Sequence, residues 1–302
     1  METSPLINPL ESANVLHKYP VFDDPYAHVT GIDPLTNHQF YYIESLIERE
    51  WITERDINIV KTIFVHRCMT FTQIHSIFFP DCSRLETIRK RLGRLVKYGL
   101  VRRVSWGSYS KNKSECPILY ELGASGADIL KYKYGTQVGS RDPRSTKPST
   151  LTFKFKYVVT NQLYLELSKL DLKHFEFNPV LKLNEEVQVP MAYYVLRNPK
   201  GLDIQFHLLC YREDEKWMKT MTYQLDFFKR YYQAEDQRRT VLVVHVSDDA
   251  KAESAMKIVQ LAGLSFEPWF ITDADLYNKD IPVTGKFFMF ESDGSRYYYD
   301  LS

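Results

Sequence analysis

The chain has 302 residues, 44% hydrophobic, 25% charged and 14% aromatic, a composition that supports packed cores and excludes a disordered chain. A net charge of +1 hides an asymmetry: residues 1–50 carry −6, residues 51–135 carry +8 (fifteen Lys/Arg against seven acids) and residues 136–302 carry −1. Such a concentration of positive charge points to a polyanionic partner. No apolar run reaches the ~18 residues that span a membrane. The opening METSPLINPLESANV lacks the pattern of a signal peptide, and Cys68, Cys82, Cys116 and Cys210 are scattered, so a cytoplasmic protein with reduced thiols is expected.

Residues 1–50, rich in Pro, Asn and Asp, read as an irregular N-terminal arm in which Phe40–Glu50 forms a strand or a short helix. Residues 51–138 have clearer periodicity. Thr53-Glu54-Arg55-Asp56 opens a helix with a capping-box-like pattern, and Ile57, Val60, Ile63 and Phe64 supply its core stripe. Thr70 caps a short second helix with Ile74, Ile77 and Phe78 inward, and Asp81-Cys82-Ser83 turns and caps RLETIRKRLGRLVKYGL. In that third helix Leu85, Ile88, Leu92, Leu95 and Val96 face the core. Arg84, Thr87, Arg91 and Arg94 lie on another face, flanked by Arg89, Lys90 and Lys97. Gly99 suits a left-handed helix stop. Leu100–Trp106 and Ile118–Leu122 pair as strands around the loop Gly107–Pro117, which places Lys111 and Lys113 at its tip, and Glu121–Leu130 leads into a closing helix.

Three helices followed by a hairpin with a basic loop form a winged helix-turn-helix, whose third helix fits a major groove while the loop tracks neighbouring phosphates. The DNA-binding candidates are Arg84, Thr87, Arg89, Lys90, Arg91, Arg94, Lys97, Arg102, Arg103, Lys111 and Lys113. The alternative is a protein-contact module with a solvated basic face. Solvated faces interleave acids, and this one carries only Glu86.

Residues 139–150 have the composition of a linker. Residues 151–302 read as an α/β domain with a mixed sheet: a helix over Phe155–Leu170, a strand at FEFNPVL, a hairpin of Val189–Leu196 and Ile204–Tyr211 turning at Asn198-Pro199-Lys200-Gly201, an amphipathic helix over Trp217–Tyr232, the buried strand Val241–Val246, a helix capped at Ser247-Asp248-Asp249, and a strand at Phe266–Thr272.

The segments RKRLGRLVKYGLVRR, YELGASGADIL, VTNQLYLEL and VPMAYYVL…IQFHLLCYR followed by VLVVHV resemble the replication-relaxation family of plasmid and mobile-element proteins, across roughly residues 50–275. That resemblance implies a role in plasmid replication or DNA relaxation, and a C-terminal half with a restriction-endonuclease-like fold. The nuclease signature of that fold needs an acid after a Pro on one strand and an acid-x-acid or acid-x-Lys on the next to hold a divalent metal. Here Met191 follows Pro190, and Leu209 and Tyr211 stand on the next strand, none of them a carboxylate. The domain is therefore expected to be inactive and to serve DNA clamping or association. A displaced active site built on Asp203 and Glu213, near the Glu213-Asp214-Glu215 run, is the enzymatic alternative.

His66, Cys68, His75 and Cys82 have zinc-binding chemistry without a close C-x₂-C pair, and His207 and His245 sit inside strands, where structural roles are expected. No phosphate-binding glycine loop, nucleophile elbow or dinucleotide fingerprint is present. The groups Tyr193-Tyr194, Tyr231-Tyr232 and Tyr297-Tyr298-Tyr299 fit base stacking or ordinary packing, and a relaxase tyrosine would need a histidine cluster that the sequence lacks. The sequence thus leads to a non-enzymatic double-stranded-DNA-binding protein of a plasmid or mobile element that supports replication, relaxation or transfer. It would be a homodimer without cofactor or metal, with replication or relaxation machinery as a further partner and no membrane. The alternatives are a transcriptional regulator with a dimerising or partner-sensing C-terminal domain, and a metal-dependent nuclease.

Overall fold

The computed structural model describes residues 19–145, 148–212, 216–234, 240–291 and 293–299. These fall into two units: the described residues of Met1–Phe64 and Cys82–Leu151 form the first, and those of Val65–Asp81 and Thr152–Ser302 the second. In chain order the elements begin with β1 (His28–Ile32), α1 (Phe40–Glu48), α2 (Glu54–His66), β2 (Cys68–Thr70), α3 (Phe71–Phe78), α4 (Leu85–Lys97), β3 (Val101–Gly107), β4 (Leu119–Leu122) and α5 (Ala124–Asp128). β2 and α3 belong to the second unit.

The first unit is built on the antiparallel pair β3–β4, with Val101 opposite Leu122 and Val104 opposite Leu119. Ile57, Val60 and Ile63 of α2 and Ile88, Leu92 and Leu95 of α4 are buried as their spacing predicts. Leu85 departs from the expectation at 41% exposure. It is the first residue of α4, and Arg84 rather than Ser83 occupies the cap position, with no side-chain cap bond. At the other end Gly99 takes the left-handed conformation (φ 66°). The N–H of Leu100 donates to Leu95 O and that of Gly99 to Val96 O, both at 2.9 Å, the double closure of a Schellman stop.

The N-terminal arm is not irregular throughout. β1 adds to the far side of β3, with His28 opposite Gly107 and Ile32 opposite Val104, and α1 buries Ile43 and Leu46. The strand escapes sequence reading because its residues are mostly exposed, so pairing with β3 rather than an apolar face holds it in place. The linker is also tied down. Arg144 grips Asp128 at 2.6 Å and Arg141 donates to the Phe64 carbonyl at 3.1 Å, while residues 146 and 147 lie outside the described residues.

The second unit continues with α6 (Leu151–Leu167), β5 (Leu172–Phe177), β6 (Leu181–Leu183), β7 (Glu186–Gln188), β8 (Ala192–Arg197), β9 (Asp203–Cys210), α7 (Trp217–Ala234), β10 (Thr240–Val246), α8 (Asp249–Ala262), β11 (Trp269–Thr272), α9 (Asp273–Tyr277), β12 (Phe288–Phe290) and β13 (Arg296–Tyr298). Seven strands form a mixed sheet in the order β13-β12-β11-β10-β9-β8-β5, with β9, β10 and β11 mutually parallel. β10 is central, as its unbroken β-branched run requires. The β8–β9 hairpin turns at Asn198, whose side-chain oxygen accepts the Leu202 N–H at 2.9 Å. β12, β13 and the small β6–β7 hairpin are additional to the sequence expectation.

Side chains alternate between two layers. Leu209, Tyr211, Leu242, Val244 and Val246 pack with Met221, Leu225 and Phe228 of α7 and Ala252 and Ala255 of α8. Phe206, Leu208, Val243 and Ile271 pack with Leu163 and Leu167 of α6 and Leu276 of α9. α6 is buried around most of its circumference because segment 65–81 also bonds to it: Gln73 donates to Val158 O and Asn161 to Cys68 O, each at 2.7 Å, and His66 Nδ1 lies 2.8 Å from the Asn161 side-chain oxygen.

His207 on β9 lies on the α7 side, its Nδ1 2.9 Å from the Tyr232 hydroxyl, and burial lowers its pKa to about 4. Burial lowers His66 as well, against its bond to Asn161. A histidine depressed in the fold takes up a proton first when unfolded, so stability is full above the unfolded value of 6.5 and falls as pH drops toward about 4. For His207 the loss reaches up to about 3 kcal/mol. Urea unfolding of the full chain between these limits should show the decline, with a shallower slope in His207→Gln. Equal slopes would contradict this assignment.

Candidate nucleic-acid interface

The geometry around α4 begins with one buried carboxylate. Asp56, in the first turn of α2, is completely buried and accepts from the Thr53 N–H at 2.8 Å and the Thr53 hydroxyl at 3.1 Å. Arg91 supplies the compensating charge: its Nε donates to Asp56 Oδ1 at 2.7 Å, and Nη2 reaches both Asp56 Oδ2 and, at 2.9 Å, the Thr53 hydroxyl. The guanidinium is thus drawn in toward α2, leaving Arg91 only 21% exposed.

With Ile88, Leu92 and Leu95 inward and Arg91 drawn aside, α4 exposes Thr87, Lys90, Arg94 and Lys97, separated by three, four and three residues along one face. None of Lys90, Arg94 and Lys97 has an ion-pair partner among the described residues. Arg84 is exposed at the head of the helix, and Arg89 is paired with the exposed Glu86 at 3.8 Å. The last turn is held from outside α4, since His38 Nε2 lies 3.1 Å from the Lys97 carbonyl.

Three of the four remaining candidate cations depart from the expectation of free presentation, because each has an acid within reach. Arg102 pairs with Glu121, its cross-strand neighbour, at 3.1 Å, and Arg103 with Asp33 at 2.8 Å. Lys111 is buried instead of sitting at the loop tip, donating to Tyr19 O at 2.6 Å and lying 3.8 Å from Asp24. Asp24 also accepts from the hydroxyls of Ser108 and Ser110, and Trp106 Nε1 donates to Pro117 O at 2.8 Å, so the loop is fastened at its base. Lys113 remains exposed, on a short 3-10 turn.

In the second unit Leu209 and Tyr211 are core residues of the α7–α8 layer, and Met191 packs on the α6 side. Asp203 opens β9 and pairs with Arg197 at 2.7 Å, while Glu213, Asp214 and Glu215 lie outside the described residues. The carboxyl ends of the parallel strands gather a buried polar cluster that the sequence did not reveal. Arg212 donates to Asp273 Oδ1 at 2.6 Å, and His245 Nε2 lies 2.9 Å from the same oxygen. Cys210 stands in register with His245; burial alone would raise its thiol, but Arg212 and His245 bring it below the ordinary value. Burial and Arg212 oppose protonation of His245, yet its bond to Asp273 and the adjacent Cys210 raise it. This network is buried.

The histidine and cysteine set of segment 65–82 finds other roles. His66 bonds Asn161, Cys68 donates to Lys154 O at 3.3 Å, and His75 stacks on Phe71. Among the tyrosines, Tyr194 is fully buried, Tyr232 bonds His207 and Tyr299 stacks on Trp269 at 4.1 Å, whereas Tyr297 and Tyr298 are exposed. Among the described residues, no helix is long and apolar enough to cross a membrane.

Residues 61–177 match the profile of the family described as replication-relaxation, so the resemblance seen in the sequence is shown over that stretch, from within α2 to the end of β5. The segments from VPMAYYVL onward lie beyond it. No curated protein and no solved structure matches the chain.

Removing the carboxylate of Asp56 leaves a cation committed to an empty site. Asp56→Ala should therefore destabilise the first unit by an amount at or below the roughly 3–5 kcal/mol of a fully buried pair, given the partial exposure of Arg91. Arg94→Ala should stay within about 0.5 kcal/mol of wild type. Urea unfolding curves that rank the two variants equally would contradict the pairing.

Proposed function

We propose that this chain, which carries the replication-relaxation pattern over residues 61–177, binds double-stranded DNA through α4 and so serves the replication or relaxation of a plasmid or other mobile element. In this reading α4 is the recognition helix of a winged helix-turn-helix and the β3–β4 hairpin its wing. The observation that carries the proposal is the outward face of α4, where Thr87, Lys90, Arg94 and Lys97 are exposed and the three cations have no ion-pair partner among the described residues. A thirteen-residue helix is ~20 Å long and fits a major groove, where Arg and Lys reach base edges and phosphates.

The geometry redistributes the roles of the candidates. Lys90, Arg94 and Lys97 contact DNA, with Arg84 at the helix head. Arg91 sets the orientation of α4 through Asp56 instead of reading a base. Lys113 contributes the phosphate contact of the wing, and Lys111 anchors the wing to the N-terminal segment. The second unit acts without catalysis, as a clamping or pairing body. Support for this comes from Leu209 and Tyr211, which fill a core where a nuclease would need carboxylates.

Fluorescence anisotropy of the full chain on duplex DNA at several salt concentrations tests the proposal. Binding should weaken steeply with salt, and Lys90→Ala with Arg94→Ala should lower affinity and flatten the log–log slope by up to about 2 units. Lys113→Ala should flatten it by about 1 unit, and Lys111→Met should leave it unchanged. Equal affinity of wild type and the Lys90/Arg94 double variant would overturn α4 as the recognition helix.

A further inference from the structure

We propose that Gly93 is a contact position on α4, where the bare helix backbone lets a DNA duplex approach more closely than any side chain would permit. The inference rests on the DNA-binding reading above and deepens it by naming the point of closest approach.

Gly93 lies in the interior of α4, where glycine is among the least favourable residues. Three other glycines of this unit, unlike Gly31 at the bulge of β1, answer to the chain's own backbone. A Cβ at Gly123 would fall 2.2 Å from Gly99 O, and one at Gly126 would fall 2.2 Å from Leu100 O. Gly99 needs its left-handed conformation to stop α4. At Gly93 a Cβ would meet no atom within 4 Å, and the backbone conformation is ordinary helix. No contact among the described residues accounts for a glycine there, which points to a surface outside the chain.

The surroundings indicate what approaches. Glu86, Lys90, Gly93 and Lys97 recur at intervals of four, three and four, which places them on one outward line of the helix. Arg89 and Lys90 lie one turn before Gly93, Lys97 one turn after it, and Arg94 is adjacent. A bare patch ringed by cations complements an anionic, ridged surface. A protein partner would call for apolar anchors on this line, and it has none. The duplex backbone and groove wall fit both the charge and the close contact.

The experiment uses the full chain and two neutral, helix-favouring variants, Gly93→Ala and Gly93→Gln, measuring the thermal midpoint and the Kd for one fixed duplex. Both variants should raise the midpoint, while binding weakens several-fold for alanine and on the order of tenfold for glutamine. If wild type binds and both variants bind as tightly or more tightly, the inference falls and the DNA-binding proposal stands. A lowered midpoint in both variants would show that the fold itself requires the glycine, which also overturns the inference. If wild type binds no duplex, the functional proposal fails and this inference fails with it.

Discussion

The first unit is organised by the pairing of Asp56 with Arg91. A carboxylate taken fully out of water must be compensated, and the Thr53 backbone and hydroxyl do this only in part. The Arg91 guanidinium completes the set with a forked contact whose planar geometry admits few orientations. Because Arg91 sits beside the buried stripe of α4, satisfying Asp56 fixes the rotation of that helix about its axis. The same rotation turns Lys90, Arg94 and Lys97 outward.

Charge in this unit is sorted by whether an acid is near enough to claim it. Glu121 and Asp33 take the cations of β3, Asp24 takes Lys111, and Glu44 takes Lys133. Three of these four acids come from the strongly acidic first fifty residues, so that segment covers much of the hairpin's charge, while positive charge stays exposed on α4 and at Lys113. Arg94 and Lys97, near its carboxyl end, also complement the helix dipole.

The helices of this unit were legible in the sequence because their apolar spacing is local. Ile57, Val60 and Ile63, or Ile88, Leu92 and Leu95, announce a face without knowledge of what covers it. The distinction between a free and a spent cation was not legible. Asp56 is 35 residues from Arg91, and Asp24 lies in a segment with no periodic signal, so composition counts all the cations alike. β1 was missed because its order comes from β3. In the second unit VLVVHV reads directly as the central strand, whereas the Cys210–Arg212–His245–Asp273 network depends on the parallel register of three strands. Gly93 was visible as a letter, but the open space at its Cβ position among the described residues emerged only with the fold.

The central claim is that the outward face of α4 is the surface that meets duplex DNA. A photo-crosslinking amino acid placed at position 90, with position 261 of α8 as an exposed control, tests it most directly when the full chain is irradiated with labelled duplex. The account predicts covalent capture of DNA from position 90, suppressed by high salt, and none from position 261. Capture from position 261 with none from position 90 would contradict it.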